Sequence, residues 1–174
     1  MRFGRTGPSL GAILLLAIAV VAVLDLELPG GGADDRGAGG GVEAEAEVLR
    51  VIDGDTIEVE VDGATEDVRY IGIDTPESAI PGEPVECFGK EASAANERLV
   101  GGETVRLVFD AERRDHYGRL LAYVYAGGTF VNASLVEDGF ATTLEIEPNT
   151  ARAGRLGRLE AAAGRAGAGL WGAC

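Results

Sequence analysis

Acidic residues and one arginine lie close together in two short segments of this chain. The first segment has Asp53 and Asp55 on either side of a glycine, and the second has Asp74 and Glu77 shortly after Arg69. Carboxylates that converge can hold a hard divalent cation such as Ca²⁺ through oxygen. An arginine beside such an ion suggests a phosphate ligand, because its planar fork matches two phosphate oxygens. These residue types are therefore suited to cutting a phosphodiester.

A second arginine follows a glycine turn further along the chain. Arg119 comes directly after Gly118 and precedes an apolar run. Each candidate also has a structural interpretation, because Asp-Gly turns are common between strands and a strand arginine usually faces solvent. For His116, the chain's single histidine, a surface position is a simpler interpretation than a general acid. The joint occurrence of all these residues favours chemistry over the separate structural interpretations.

Alternating apolar and polar residues predict the elements that must position these side chains. Strands are predicted at residues 42–52, 56–61, 67–73, 104–109 and 120–125, with a turn at Asp62-Gly63. Helices are predicted at about 90–100 and 131–138, and after Pro148-Asn149 to about Gly164. The predicted fold class is α+β, mainly β: a five-stranded OB-type β-barrel with about three α-helices, preceded by an N-terminal hydrophobic helix.

The composition divides the chain into three predicted parts. Residues 1–29 hold two arginines before a mostly apolar run and are expected to be a signal peptide or a transmembrane anchor. Residues 30–41 are mostly Gly, Ala and Asp and are expected to form a flexible linker. Residues 42–174 form the predicted barrel domain. Either main interpretation of residues 1–29 places this domain outside the cytoplasm; a buried core helix is a third, disfavoured by Pro29 and the linker.

The chain is strongly acidic, with a net charge of −14 at pH 7. Residues 1–30 carry two arginines against Asp25 and Glu27, so the whole net charge lies on residues 31–174. This is unusual for a protein that binds phosphates, since positive charge dominates such binding. An acidic surface with a single lysine fits a protein that works in concentrated salt, where charge repulsion is screened. The arginines at 152, 155 and 158 form a basic stripe, interpreted as a solvated helix face rather than a nucleic-acid contact.

The two cysteines, Cys87 and Cys174, suggest a disulfide, because an even count in an exported chain favours pairing. Such a bridge would hold the C-terminal tail and stabilise the fold by about 4 kcal/mol on the chain-entropy model. Two unrelated thiols are the alternative. A zinc site is disfavoured, since two cysteines and one histidine are too few for a tetrahedral set.

Several motifs in order resemble the staphylococcal nuclease (thermonuclease) family, from about Val48 to Trp171. The matching segments are DGDT, the R-x-x-x-x-D-T-P-E box, CFGKEAS, D-x-YGR-x-LAY, VN-x-x-LV-x-x-G and the closing GLW. The resemblance implies a Ca²⁺ cofactor held directly by Asp55, by Asp74 and by the backbone carbonyl of Thr75. It implies that Asp53 acts on the ion through water.

The same resemblance implies the remaining roles. Arg69 and Arg119 would hold the phosphate, and Glu77 would activate or orient the attacking water. Tyr117 and His116 occupy positions where the family often has residues near a neighbouring phosphate, so both are expected to contact substrate. One departure is clear: the family presents tyrosines before the last helix, whereas residues 142–149 contain no aromatic residue and include two glutamates. Base stacking worth about 1–3 kcal/mol per base would be absent.

These observations predict an exported or membrane-tethered, Ca²⁺-dependent nuclease that acts on DNA and RNA with little sequence preference and leaves 3′-phosphate ends. The expected partners are nucleic acid as substrate and, if the N-terminal segment is uncleaved, a membrane; the enzyme is expected to be a monomer. Two alternatives remain at this point. One is a catalytically weak or inactive nucleic-acid-binding module, and the other is a calcium-stabilised extracellular structural domain.

Overall fold

The computed structural model describes residues 42–78 and 84–174. The predicted hydrophobic helix at 1–29 and the linker at 30–41 lie outside the described residues, and both stay predictions. Within the described ranges, no helix is long and apolar enough to cross a membrane.

The centre of the fold is a closed barrel of five strands. They are β1 (Glu43–Val51), β2 (Thr56–Val61), β3 (Ala64–Tyr70), β5 (Thr104–Val108) and β6 (Leu120–Ala126). The antiparallel order is β3-β2-β1-β5-β6, and a parallel pairing of β3 with β6 closes the ring. This arrangement confirms the predicted five-stranded OB-type barrel with its α+β class.

The alternation in the sequence explains why these strands close around a core. In β1, Ala46 and Val48 are buried while the glutamates between and beside them face solvent. Its pairing register with β2 shifts between Val48 and Arg50, a bulge of the kind that bends a strand. At the β2–β3 hairpin, Asp62 and Gly63 have φ of 53° and 75°, so the predicted turn is confirmed.

The predicted strand at 67–73 is wrong in its bounds, because the structure divides it. β3 begins at Ala64 and ends at Tyr70, and a separate β4 (Gly72–Asp74) pairs with β8 (Thr142–Leu144). Gly72 has φ of 80°, which turns the chain out of the barrel and into the second sheet. This turn matters for the site, because it places Arg69 on the barrel and Asp74 on the small sheet.

Within the described residues, three helices longer than one turn pack around the barrel, as predicted. They are α1 (Gly89–Val100), α2 (Val131–Glu137) and α3 (Ala153–Ala166). The third begins later than predicted, with Arg152 as its N-cap residue. The sequence interpretation also missed β7 (Thr129–Phe130), β8 and the short α4 (Leu170–Ala173). These elements are too short to show a periodic pattern.

A disulfide joins Cys87, just before α1, to Cys174 at the C-terminus. Nearby, the N–H of Leu170 donates to the carbonyl of Gly139, which fastens α4 to the end of α2. The C-terminal tail is therefore tied to two parts of the domain.

Candidate active site

The Asp53–Asp55 turn places one carboxylate inside the protein. Asp55 is only 4% exposed, and its Oδ2 accepts hydrogen bonds from the N–H of Thr75 at 2.7 Å and from its hydroxyl at 3.0 Å. The Asp53 carboxylate instead accepts the N–H of Asp55 at 3.0 Å. Gly54 allows this close approach, because a Cβ there would lie 2.6 Å from Thr75 Oγ1. The turn is therefore packed directly against the start of the Thr75-Pro76-Glu77 segment.

Arg69 joins the two predicted metal carboxylates. Its Nη1 lies 2.8 Å from Asp55 Oδ1, and its Nη2 lies 2.7 Å from Asp74 Oδ1. Nη1 also donates to the carbonyl of Ile73 at 2.9 Å. One guanidinium thus contacts Asp55 from the β1–β2 turn and Asp74 from the end of β4, so both carboxylates lie beside the same arginine.

The environment of Asp55 makes its negative charge costly. Burial raises the pKa of the Asp55 carboxyl to about 6, the positive charge of Arg69 lowers it in part, and neighbouring Asp53 raises it further. A second cation close to this carboxylate would therefore be favourable.

The donor set fits a hard divalent cation. Asp55 and Asp74 supply carboxylate oxygens, and Thr75 follows directly with a backbone carbonyl, which are the ligand types that Ca²⁺ takes. In the described part of the chain there is no group of three or more His, Cys, Asp or Glu side chains placed to hold a metal ion. A site here would therefore depend on two carboxylates, a carbonyl and water.

Glu77 lies three residues after Asp74 and is held through its backbone. Its N–H donates to Glu86 Oε2 at 2.9 Å, and the N–H of Glu86 donates back to the Glu77 carbonyl at 2.9 Å. Its own Oε1 accepts the N–H of Ser78 at 2.9 Å. This reciprocal pair, which we call the Glu77–Glu86 clamp, fixes the Glu77 backbone beside the N-terminus of α1.

Arg119 is held by a short loop before β6. The Asp115 carboxylate accepts the N–H groups of Tyr117 and Arg119, both at 3.0 Å, and Arg119 Nε at 2.7 Å. Gly118 has φ of 91°, a conformation that favours glycine and lets the loop fold back on Asp115. The Arg119 guanidinium keeps its two terminal nitrogens for other partners, since Nε makes the ion pair.

A cleft of about 370 Å³ contains both arginines. Arg69 lines it from β3, and Arg119 and His116 line it from the loop before β6. Leu144 and Ile146, both substantially exposed, form part of the wall made by the 144–149 segment. A volume of this size suits one nucleotide-sized ligand. The two guanidinium groups are its candidate phosphate-binding groups, although Glu112, Asp115 and Glu147 also line the cleft.

The other predicted substrate residues lie at the rim. The rings of His116 and Tyr117 have centroids 3.7 Å apart, and Tyr117 is 75% exposed. The Arg119 guanidinium carbon lies 5.5 Å from the centre of the Tyr117 ring. Both residues are therefore close to the second arginine, and the Tyr117 ring is largely exposed at the surface.

Sequence reasoning missed a buried residue that joins the two walls of the cleft. Asn149 Oδ1 accepts the N–H of Glu112 at 2.8 Å, and its Nδ2 donates to the Glu112 carbonyl at 2.8 Å. Asn149 therefore ties the 144–149 segment to the chain leading into the Arg119 loop. Its place after Pro148 indicated only a helix start.

The basic stripe proves to pack on aromatic rings. Arg152 lies 5.2 Å from the ring centre of Tyr123 and 5.5 Å from that of Phe130, and Arg155 lies 5.1 Å from Phe130. These two arginines thus cover the aromatic surface of β6 and β7 as well as carrying charge.

Fold and site together define an OB-type barrel with an arginine-lined cleft beside paired carboxylates. A family model described as "Staphylococcal nuclease homologue" matches residues 67–173, more than half of the chain. The chain belongs to this family, which confirms the resemblance drawn from its motifs.

Individual relatives agree with this assignment. The thermonuclease of Staphylococcus hyicus is 39% identical over 139 residues, which cover 80% of this chain and 82% of the relative. The thermonuclease of Staphylococcus intermedius is 40% identical over 137 residues, which cover 79% of this chain and 82% of the relative. "Endonuclease YncB" of Bacillus subtilis (strain 168) is 47% identical over 103 residues, which cover 58% of this chain and 49% of the relative.

Proposed function

We propose that this protein is a Ca²⁺-dependent nuclease that hydrolyses phosphodiester bonds of DNA and RNA with little sequence preference and leaves 3′-phosphate ends. The observation that carries the proposal is that Arg69 lines the cleft together with Arg119 while also contacting both Asp55 and Asp74. Relatives named thermonuclease and endonuclease support the reaction class.

The two arginines act on the phosphate. When water adds to phosphorus, negative charge grows on the non-bridging oxygens, and guanidinium groups aimed at that charge stabilise it more than they stabilise the substrate. Arg119 is already held by Asp115, so less rotamer freedom is lost when phosphate enters. Arg69 approaches from the barrel side, and its donors would become available to the phosphate once a cation takes over its contacts with Asp55 and Asp74.

Glu77 acts on the water. A glutamate reaches one methylene further than an aspartate, so from its position after Asp74 it can accept or direct the proton of the attacking water. Asp55, Asp74 and the Thr75 carbonyl would hold Ca²⁺, which when bound offsets the charge of the phosphate and allows an oxygen nucleophile to approach it. The Glu77–Glu86 clamp keeps the Glu77 backbone in place for this role.

A plasmid-cleavage assay with Ca²⁺ and with EDTA tests the proposal. We expect nicking and then degradation with Ca²⁺, and none with EDTA. Glu77→Ala should lower kcat by about 10²–10⁴-fold, the usual worth of a general base. Arg69→Ala and Arg119→Ala should each lower it by about 10²–10³-fold. Arg165→Ala, on the last turn of α3, is the matched control and should retain full activity.

Two results would contradict the proposal. Full activity of Glu77→Ala would remove Glu77 from the reaction, and cleavage in EDTA at the Ca²⁺ rate would remove the cation. End-group analysis of the digest checks the predicted 3′-phosphate. An inactive but nucleic-acid-binding protein would instead support the binding-module alternative.

We also propose that the enzyme works outside the cytoplasm, exported or tethered through residues 1–29. The apolar run behind two arginines supports this location, and so does the Cys87–Cys174 disulfide, since such bridges persist in oxidising compartments. Fractionation of cells that express the full chain, followed by mass spectrometry of its N-terminus, would separate the cleaved from the tethered form. Recovery of intact chain only in the cytosol would refute both.

A further inference from the structure

A buried pair of hydrogen bonds leads from the barrel to the Asp53–Asp55 turn. The hydroxyl of Tyr70 donates to Asn96 Oδ1 at 2.9 Å, and Asn96 Nδ2 donates to the carbonyl of Asp53 at 2.9 Å. Tyr70 is 2% exposed and Asn96 is fully buried. We call this chain of contacts the Tyr70–Asn96 relay.

Packing alone does not account for an asparagine at this place. The other buried side chains of α1 are small or apolar, namely Ala92, Ala95 and Val100. Asparagine is a poorer helix former than alanine, and its amide is costly to bury unless it is hydrogen-bonded. Asn96 meets that cost with one bond to Tyr70 and one bond to the turn.

Tyr70 contributes to holding both ends of the Asp53–Asp55 turn. The backbone N–H of Tyr70 donates to the carbonyl of Asp55 at 2.9 Å. Tyr70 therefore contacts the turn directly at Asp55 and, through Asn96, at Asp53. Its neighbour in β3 is Arg69, which contacts the Asp55 carboxylate itself. The position of that carboxylate is thus set from the barrel strand and from α1 together.

We propose that Tyr70 and Asn96 are positioning residues that fix the Asp53–Asp55 turn so that Asp55 presents its carboxylate to a bound divalent cation. The inference rests on the proposed Ca²⁺ site and goes beyond it, because neither residue is a ligand. In Asn96→Ala the Asp53 carbonyl loses its buried donor, and in Tyr70→Phe the Asn96 amide loses the bond that orients it, so in either variant the turn samples more conformations. The affinity for the cation then falls, because binding must also order the turn.

Titration calorimetry with Ca²⁺ alone tests the proposal on the full chain. Tyr70→Phe keeps the ring and the backbone bond to Asp55 but removes the hydroxyl, and we expect about a 10-fold weaker Kd, as for other groups that orient metal ligands. Asn96→Ala removes both relay bonds and should weaken Kd by about 10- to 100-fold. The double variant should be no weaker than Asn96→Ala, because the relay is already cut.

Tyr123→Phe is the matched control. Tyr123 is also buried, and its hydroxyl donates to Asp110 Oδ2 at 3.1 Å rather than to the turn. This variant should lose stability much as Tyr70→Phe does, yet bind Ca²⁺ with the Kd of the unmodified protein. A weaker Kd in Tyr123→Phe would show that loss of any buried hydroxyl has the same effect, and would overturn the proposal.

A second readout needs no metal. In EDTA, amide hydrogen exchange at Asp55 should be about 10-fold faster in Tyr70→Phe than in Tyr123→Phe, whose turn is intact. Unchanged Kd and unchanged exchange in Tyr70→Phe would overturn the relay. If the unmodified protein binds no Ca²⁺, the proposed cofactor fails, while the exchange measurement still decides whether the relay holds the turn. Should Asn96→Ala fail to fold, Tyr70→Phe alone carries both measurements.

Discussion

At the scale of single residues, Arg69 has two tasks that the structure brings into one place. It neutralises part of the charge of Asp55 and Asp74, and it also faces the cleft. A divalent cation between these carboxylates would take over the first task. The guanidinium would then be able to give more of its donors to a phosphate. Arg69 therefore links the proposed cation site to the proposed phosphate site.

The pKa of Asp55 gives a residue-scale prediction for the metal-free protein. Because burial raises this pKa to about 6 in the folded state, the native protein binds the proton more tightly than the unfolded chain does. Stability from this group is thus present below about pH 4 and lost as the pH rises through about 6. As the pH rises across that window, the free energy of unfolding of the unmodified protein should fall by roughly 2–3 kcal/mol relative to that of Asp55→Asn.

Urea unfolding of both proteins in EDTA at several pH values between 4 and 7 checks this prediction. The difference between the two proteins isolates Asp55, since the other carboxylates titrate in both. A difference that does not change with pH would show that Asp55 ionises at its ordinary pKa, and a change in the opposite direction would show that its pKa is lowered in the folded state; either would contradict the prediction. Adding Ca²⁺ should raise the free energy of unfolding at the pH values where Asp55 is ionised, and should in this way reduce its dependence on pH.

At the scale of elements, the turn at Gly72 sets the distance between the barrel and the small sheet that carries Asp74. Gly72 has φ of 80°, and a Cβ there would lie 2.8 Å from Leu156 Cδ1 of α3. Gly72→Ala should destabilise the fold by at least about 1–3 kcal/mol, from the strained backbone alone. Gly157→Ala is the control, since apart from its chain neighbours and the backbone of its own helix no atom of the described residues lies within 4 Å of its Cβ position.

Gly157 lies inside α3, where alanine is the better helix former. Gly157→Ala should therefore stabilise the protein by about 0.5–1 kcal/mol. Denaturant midpoints of the two variants measure both effects. Equal midpoints for Gly72→Ala and the unmodified protein would mean that β3 and β4 do not need this turn.

The disulfide connects a second element to the chemistry. Cys87 follows Glu86 directly, and Glu86 forms the Glu77–Glu86 clamp. Cys87→Ser with Cys174→Ser should lower the free energy of unfolding by about 4 kcal/mol on the chain-entropy model. Below its unfolding temperature the variant should also have a lower kcat, with a smaller change in the Kd for Ca²⁺, because Asp55 is held in the β1–β2 turn and Asp74 by the pairing of β4 with β8.

Kinetics at 15 °C and calorimetry with Ca²⁺ separate these effects. Glu77→Ala supplies the control: the cysteine substitutions should lower its residual kcat much less, since the clamp no longer positions the side chain proposed to act on the water. Equal losses in both backgrounds would show that the bridge acts on folding alone.

The sequence predicted most of the barrel and named the residues that the fold brings together around Arg69, and the limits of the prediction have physical causes. The five barrel strands alternate strongly because one face of each is buried, and the motif residues stand at their ends. β8 has no such pattern, since Thr142–Leu144 is held by pairing with β4 and by Glu160, which accepts from Thr143. The Tyr70–Asn96 relay joins residues far apart in the chain. Only the closed fold brings them together.

At the scale of the whole molecule, the negative charge of the protein repels a nucleic-acid substrate. The net charge is −14, and the exposed glutamates of β1 and of the 144–149 segment contribute to it. Two arginines in the cleft attract a phosphate at short range, whereas the rest of the protein repels a polyanion at long range. The Debye length falls from about 30 Å at 0.01 M salt to about 3 Å at 1 M. Salt therefore weakens the long-range repulsion more than the short-range contacts.

This balance predicts that salt increases activity on long DNA. With Ca²⁺ held constant, kcat/KM should rise between 0.01 M and several tenths molar NaCl, the opposite of the steep loss caused by counterion release in basic proteins. A variant with Glu145→Lys and Glu147→Lys should be more active in low salt and gain less from added salt, because Glu147 lines the cleft. A dinucleotide substrate should show little effect, since it carries too few charges to be repelled. A kcat/KM that falls steadily from the lowest salt would mean that local arginine contacts, rather than the net charge, control the encounter.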